Sequence, residues 1–192
     1  GKQAIKEMNR VGLVIDVSHT SEKSSFDAIR YSERPIVISH ANPNWWHESK
    51  RNKSHALIKE VISNGGMIGF SIYPHHLKNG TNCTLESFST MIAKSAEKYG
   101  VNNLGIGSDI CQNQPDSVVE WMRNGTWSKE IDYGEGTKDS AGFPTQPKWF
   151  QKTSDFLNLL AGLKKVGFNN QERLKIMGLN WLNFYEENFH AL

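Results

Sequence analysis

The chain has 192 residues, two cysteines and a formal net charge of +2. That length can bury one sizeable core and suits a single domain, but it falls short of the about 250 residues of a complete (β/α)8 barrel. The small, scattered positive charge argues against a nucleic-acid or anionic-membrane partner, and no apolar run reaches the ~20 residues of a transmembrane helix.

The first element in chain order is a helix over residues 3–10, with Ile5, Met8 and Val11 at helical spacing and Gly12 as its stop. Leu13 to Val17 reads as a first strand. Thr20-Ser21 caps a helix from about Glu22 to Tyr31, and Pro35 introduces a second strand, Ile36 to Ser39. A Trp-rich polar loop, residues 41–54, precedes a helix from about His55 to Ser63. Gly65-Gly66 ends it and opens a third strand, Met67 to Tyr73, with Pro74-His75-His76 at its exit. Thr84 caps the next helix, which ends at Tyr99-Gly100, and a fourth strand, Leu104 to Gly107, runs into Ser108-Asp109. A long insertion rich in Gly, Pro, Trp and charge occupies about residues 110–148. Two helices, Trp149 to Val166 and Asn170 to Asn188, close the chain.

Strand and helix thus alternate four times, the pattern of parallel β/α units. The strands read as continuous apolar runs, as expected of strands buried on both faces. Four such units make half of a (β/α)8 barrel. A small open doubly wound sheet is the alternative, but no Gly-x-Gly-x-x-Gly phosphate loop accompanies it.

In a barrel, chemistry sits at the C-terminal strand ends. His19 and His40 each follow a Ser at such an end, 21 residues apart, which is one β/α unit. Adjacent parallel strands let two imidazoles converge on one Zn2+; capping of a neighbouring helix by each His is the bland alternative. Asp109 ends the fourth strand, where an aspartate can move a proton or cap the following segment. Arg51 can fork onto a substrate carboxylate or simply lie in solvent. Asp16 reads as a partner behind His19 or as a buried structural hydrogen bond. His47, His55, His75 and His76 rank below these, and Trp45, Trp46, Trp121 and Trp127 read as loop packing. Asn79-Gly80-Thr81, Asn82-Cys83-Thr84 and Asn124-Gly125-Thr126 match a glycosylation pattern and read as ordinary loops. No His-x-His, His-x-Asp or His-Glu-x-x-His occurs, so two histidines alone leave a hydrolytic metal site incomplete.

The run from Met8 to His19, then Ile38-Ser39-His40-Ala41-Asn42, Arg51-Asn52, Gly105-Ile106-Gly107-Ser108-Asp109 and Gly178-Leu179-Asn180 resembles the membrane dipeptidase (renal dipeptidase) family of zinc peptidases, in the family's order. The resemblance extends over essentially the whole chain. It implies a (β/α)8 barrel with two zinc ions joined by a bridging glutamate, and dipeptide hydrolysis by a metal-bridging hydroxide. His19 and His40 match the histidines of one zinc, Asp109 the acid/base aspartate, and Arg51 the arginine that holds the dipeptide's carboxylate. The family's first-strand His-x-Asp and bridging Glu have no counterpart in this chain, which therefore resembles the C-terminal half, strands five to eight. After Gly-Ser-Asp the usual Phe-Asp-Gly is replaced by Ile110-Cys111-Gln112, and the insertion is long. Both departures bear on substrate preference, as in bacterial members labelled dipeptidase or amidohydrolase.

The expectation is a single partial barrel domain over residues 1–192 of a zinc metallodipeptidase that takes a dipeptide substrate, with a homodimer as an open assembly. The alternatives are hydrolysis of another small amide or a lactam, or a non-catalytic half barrel. Half a barrel leaves two strand edges exposed, so this polypeptide by itself is expected to show little activity and to associate. Cys83 and Cys111 form no disulfide framework and read as free thiols, which favours a cytoplasmic location. The chain opens on Gly1-Lys2-Gln3 inside a helical pattern, as a trimmed or incomplete polypeptide would, with the region that would carry a signal missing.

Overall fold

The computed structural model describes residues 1–115, 117–118 and 143–190. Its elements in order are α1 (Lys2–Arg10), α2 (Glu22–Tyr31), β1 (Val37–Ile38), α3 (His55–Ser63), β2 (Met67–Phe70), α4 (Leu85–Tyr99), β3 (Leu104–Ile106), α5 (Phe156–Lys165), α6 (Asn170–Leu174) and α7 (Asn180–Asn188). Ser21, Ser54, Thr84 and Asn169 cap α2, α3, α4 and α6, each accepting from a backbone N–H one turn on.

The sheet is parallel in the order β1-β2-β3, with Val37 opposite Met67 and Ile68 opposite Leu104. The expected first strand is present only as an isolated parallel bridge between Asp16 and Val37. It is held by Val17 N–H to Val37 O and Val37 N–H to Ile15 O, both 2.9 Å. The described residues therefore hold an α/β fold with three regular strands, and the four full units expected from the sequence are not all formed.

The strands are short for an identifiable reason. At the ends of the Asp16 segment, of β1 and of β2, side chains rather than ladder partners take an N–H group. The Asp16 carboxylate accepts Ser18 N–H and Ser39 N–H, both at 3.0 Å, which stops pairing on either side of the Asp16–Val37 bridge. Asn42 Oδ1 accepts Ser71 N–H at 3.0 Å, one residue past β2. A buried N–H must find some acceptor, and these two side chains divert the backbone from extension into loops.

The core lies between the sheet and its helices. Ile38, Ile68, Phe70, Ile72 and Leu104 of the sheet layer meet Leu57, Ile58, Val61, Phe88, Met91 and Ile92 from α3 and α4, all at most 1% exposed. Each such burial stabilises by about 1.5–3 kcal/mol. The apolar stripe expected on α1 is buried only in part: Met8 and Val11 stay exposed, and the buried residue is Asn9. Asn9 Oδ1 accepts Glu33 N–H at 2.7 Å and so ties α1 to the exit of α2. At the C-terminal end, the continuous helix expected over residues 170–188 is broken by a π-turn at Lys175–Leu179. No helix among the described residues is long and apolar enough to cross a membrane. Most of the 110–148 insertion, including Trp121, Trp127 and Asn124, lies outside the described residues.

Candidate metal centre

His19 and His40 leave the ends of two neighbouring parallel segments, and their Nε2 atoms stand 2.8 Å apart. Arg51 reaches them from the loop after β1, its Nη2 lying 2.8 Å from His19 Nε2 and 3.5 Å from His40 Nε2. Guanidinium can only donate, so the His19 nitrogen facing it is a lone pair. Burial is the largest influence on His19. With Arg51 and His40 nearby, it lowers the imidazole pKa to about 4, which keeps the ring neutral and able to ligate at neutral pH.

Asp16 and the two serines sit behind this pair. Asp16 Oδ1 accepts the Ser18 hydroxyl at 2.6 Å, and Oδ2 accepts the Ser39 hydroxyl at 2.5 Å. Burial works to raise the Asp16 pKa, but the hydrogen bonds from Ser18 and Ser39 outweigh it and hold the carboxyl below its usual range. Ser39 Oγ also lies 2.7 Å from His40 Nδ1. The sequence left Asp16 as a partner behind His19 or a structural hydrogen bond; the structure places its carboxylate against both serines that precede the histidines, Ser18 and Ser39.

Two glycines permit this closeness. A Cβ on Gly69 or Gly107 would collide with the carbonyl oxygen of Ser39, so the end of β1 is clasped between β2 and β3 only because both positions lack a side chain.

Asp109 lies beyond β3, at φ 54, a left-handed conformation uncommon for a residue other than glycine. It shares an open cleft of about 350 Å3 with Ser39, His40, Gly107, Trp181 and Tyr185. Burial pushes the Asp109 pKa up, opposed by His40 and Arg51, so a proton is retained more readily than on a solvated aspartate.

The loop carrying Arg51 is held from below by two buried asparagines. Asn42 N–H donates to Asn52 Oδ1 at 3.0 Å, and Asn52 Nδ2 donates to the carbonyls of His47 and His76 at 2.8 and 3.0 Å. Lys53, also buried, donates to Thr20 O at 2.9 Å and joins this loop to the one after His19. Burial, with Arg51 adding repulsion, lowers its pKa to about 8. His76 is buried at 2% exposure, its Nδ1 2.7 Å from Ser71 Oγ. Sequence reasoning set Asn42 and Asn52 only within a resemblance and missed Ser39 as a partner of His40; nothing in residue spacing identifies a hydrogen bond between loops.

The remaining candidates stand apart. His55 Nδ1 and Trp45 Nε1 both meet the Tyr99 hydroxyl, at 2.7 and 3.0 Å, where the start of α3 meets the end of α4. The His75 ring lies 5.7 Å from that of Tyr73, tilted by 52°. Cys83 and Cys111 are free, and burial raises the Cys83 thiol to about 11. Among the described residues no third His, Cys, Asp or Glu completes a metal-binding cluster with the two histidines.

The residues present nonetheless fit a metal ion. Two nitrogens bound to one tetrahedral Zn2+ at about 2.0–2.1 Å stand about 3.3 Å apart, and the two Nε2 atoms, at 2.8 Å, reach that span by parting about half an ångström. A fold that brings paired imidazoles to adjacent ends of a parallel sheet, beside a carboxyl group and an arginine, has the layout of a metal-site enzyme.

Comparison with known proteins agrees. The family model described as "Membrane dipeptidase (Peptidase family M19)" matches residues 1–122, and the chain belongs to that family. It is 24% identical over 188 residues to the dipeptidase tcpJ of Claviceps purpurea, covering 97% of this chain and 37% of that protein. Over 112 residues, 57% of this chain and 28% of the relative, it is 32% identical to the dipeptidase verJ of Clonostachys rogersoniana. A crystal structure of an amidohydrolase from Pseudomonas aeruginosa superposes with a TM-score of 0.88 at 28% identity, covering 98% of this chain and 56% of that one. A metallo peptidase from Rhodobacter sphaeroides, liganded with a phosphinate mimic of the dipeptide L-Ala-D-Ala, shares the fold at a TM-score of 0.76 and 20% identity, covering 98% and 46%. The chain thus spans under two fifths of the tcpJ length and about half of these solved chains.

Proposed function

We propose that this chain is the C-terminal half of a (β/α)8 zinc dipeptidase, strands five to eight, in which His19 and His40 hold one of two zinc ions. The observation that carries the reading is the 2.8 Å approach of the two Nε2 atoms at neighbouring strand ends. Four parallel segments laid down in chain order, counting the Asp16–Val37 bridge, support the half barrel. Two ligands are fewer than the three or more of a hydrolytic zinc site, so the others come from outside these residues. Zinc, when bound, supplies Lewis-acid polarisation of the scissile carbonyl and activation of water.

This chain's own residues then divide the work. Arg51 stands against the two histidines through its Nη2, with its Nε buried and unpartnered, and its guanidinium is the cation of the site that holds the carboxylate of a dipeptide. Asp109, with its proton affinity raised by burial, takes a proton from the attacking water and delivers it to the leaving amine. His19 stays neutral, its pKa lowered to about 4 chiefly by burial, and His40 is held beside it by the contact of its Nδ1 with Ser39 Oγ.

The test is zinc-dependent hydrolysis of a dipeptide panel by the intact protein, against its His19→Ala and Asp109→Asn variants. Loss of about 100-fold or more in kcat is expected for Asp109→Asn; undiminished turnover in both variants would sink the assignment. The likeness to an amidohydrolase structure at a TM-score of 0.88 favours a second reading, hydrolysis of another small amide or a lactam at the same site. Turnover of such amides with none on any dipeptide would select it.

A further inference from the structure

Neither proton of the two serine hydroxyls behind the histidines is free. Ser18 donates to Asp16 Oδ1 at 2.6 Å and Ser39 to Asp16 Oδ2 at 2.5 Å. If Ser39 instead donated to His40, its oxygen would face a carboxylate oxygen at that same 2.5 Å with no proton between them, a repulsive arrangement. The 3.2 Å approach of Ser18 Oγ to Ser39 Oγ has no proton left to bridge it, and Ser18 Oγ already accepts His40 N–H at 3.1 Å. With its proton on Asp16, Ser39 Oγ can only accept at its 2.7 Å contact with His40 Nδ1.

We propose that Asp16 and Ser39 are positioning residues that fix His40 as the Nδ1–H tautomer and so present its Nε2 lone pair to the metal. The inference rests on the reading of His40 as a zinc ligand, and adds what prepares that ligand before metal arrives. The lone pair created on His40 Nε2 faces that of His19, whose nitrogen accepts from Arg51 at 2.8 Å. Two lone pairs held 2.8 Å apart repel until a cation lies between them. Carboxylate-to-histidine support of this kind reaches a ligand directly in many metal sites; in this chain one hydroxyl stands between.

The relay makes the two obvious substitutions unequal. Ser39→Ala leaves His40 Nδ1 without its partner, so neither tautomer is favoured. Asp16→Asn does more. Three donors, from Ser18 N–H, the Ser18 hydroxyl and Ser39 N–H, converge on Oδ1, so the amide oxygen takes that place and the NH2 group faces Ser39. The Ser39 hydroxyl then accepts from the amide, and of the two acceptors left for its proton His40 Nδ1 at 2.7 Å is closer than Ser18 Oγ at 3.2 Å; donation to His40 moves the imidazole proton to Nε2 and blocks the ligating atom.

The measurements are nitrogen-15 NMR of the histidine rings in the metal-free intact protein, and zinc affinity by competition with a chelator. Wild type is expected to show His40 protonated on Nδ1, and Asp16→Asn to show it protonated on Nε2. Zinc binding should weaken about 10-fold in Ser39→Ala and toward 100-fold in Asp16→Asn. An Nε2–H tautomer in the wild-type protein, which requires no variant to fold, overturns the relay. So does an unchanged tautomer in folded Asp16→Asn. If wild type binds no zinc, the zinc-site reading fails, while the tautomer spectrum still decides the relay.

Discussion

Asn42→Ala is the sharpest probe of how the fold holds the candidate site. The Asn42 side chain is fully buried, and it donates to Ser71 O at 2.9 Å and His76 O at 3.1 Å while accepting Ser71 N–H at 3.0 Å. Truncation removes three hydrogen bonds at about 1 kcal/mol net each. His76 O keeps Asn52 as a donor, whereas both backbone groups of Ser71 lose the Asn42 partner. The expected loss is about 3 kcal/mol, a large part of a typical domain's stability. Asn42→Asp should cost more, because an acceptor would then face two carbonyl oxygens. Urea unfolding of the intact protein, read at constant m-value, measures both. A loss below about 1 kcal/mol for Asn42→Ala, or an Asp variant no worse than the Ala variant, would refute this account of the loop. The same network carries Arg51, so a surviving Asn42→Ala enzyme should also show a raised KM for dipeptides.

Two further outcomes follow from burial and close packing. His76 is buried with its pKa lowered to about 3, chiefly by desolvation with Arg51 adding repulsion. The folded state therefore resists protonation that the unfolded state accepts near 6.5. The stability this preserves is full above that value and is lost as pH falls below it, by about 2 kcal/mol at pH 5; unfolding of wild type and His76→Gln across pH 7 to 5 should show a shallower slope in the variant. Gly107→Ala would place a Cβ against the Ser39 carbonyl and His40 Cα. It should cost about 1–3 kcal/mol and weaken zinc binding, measured by denaturation and chelator competition; an Ala variant equal to wild type in both would contradict the clasp.

Much of the element order was legible from local chemistry. Ser54 and Thr84 cap helices whose bounds, His55–Ser63 and Leu85–Tyr99, match the expected ones, because a cap and a 3.6-residue apolar period act within one chain segment. The strands were less legible. Leu13 to Val17 has the composition of a buried strand, yet Leu13 is 49% exposed and only Asp16 forms a bridge, because strand pairing depends on neighbours distant in sequence. The break near Gly178 was likewise invisible, since Asn170 to Asn188 carries a continuous helical pattern.

For the site, the alternation of apolar runs and turns in the sequence by itself puts His19, His40 and Asp109 at the ends of apolar runs and Arg51 in the loop that follows His40. Only the tertiary structure decided which of them meet. The 2.8 Å contacts joining His19, His40 and Arg51, the bonds from Ser39 to Asp16, and the asparagine anchors that tie the Arg51 loop to Ser71 and His76 all cross between units distant in sequence. Hydrogen bonds are directional and short-ranged, so their partners are chosen by how parallel strands and loops are laid side by side, which no one segment of sequence contains.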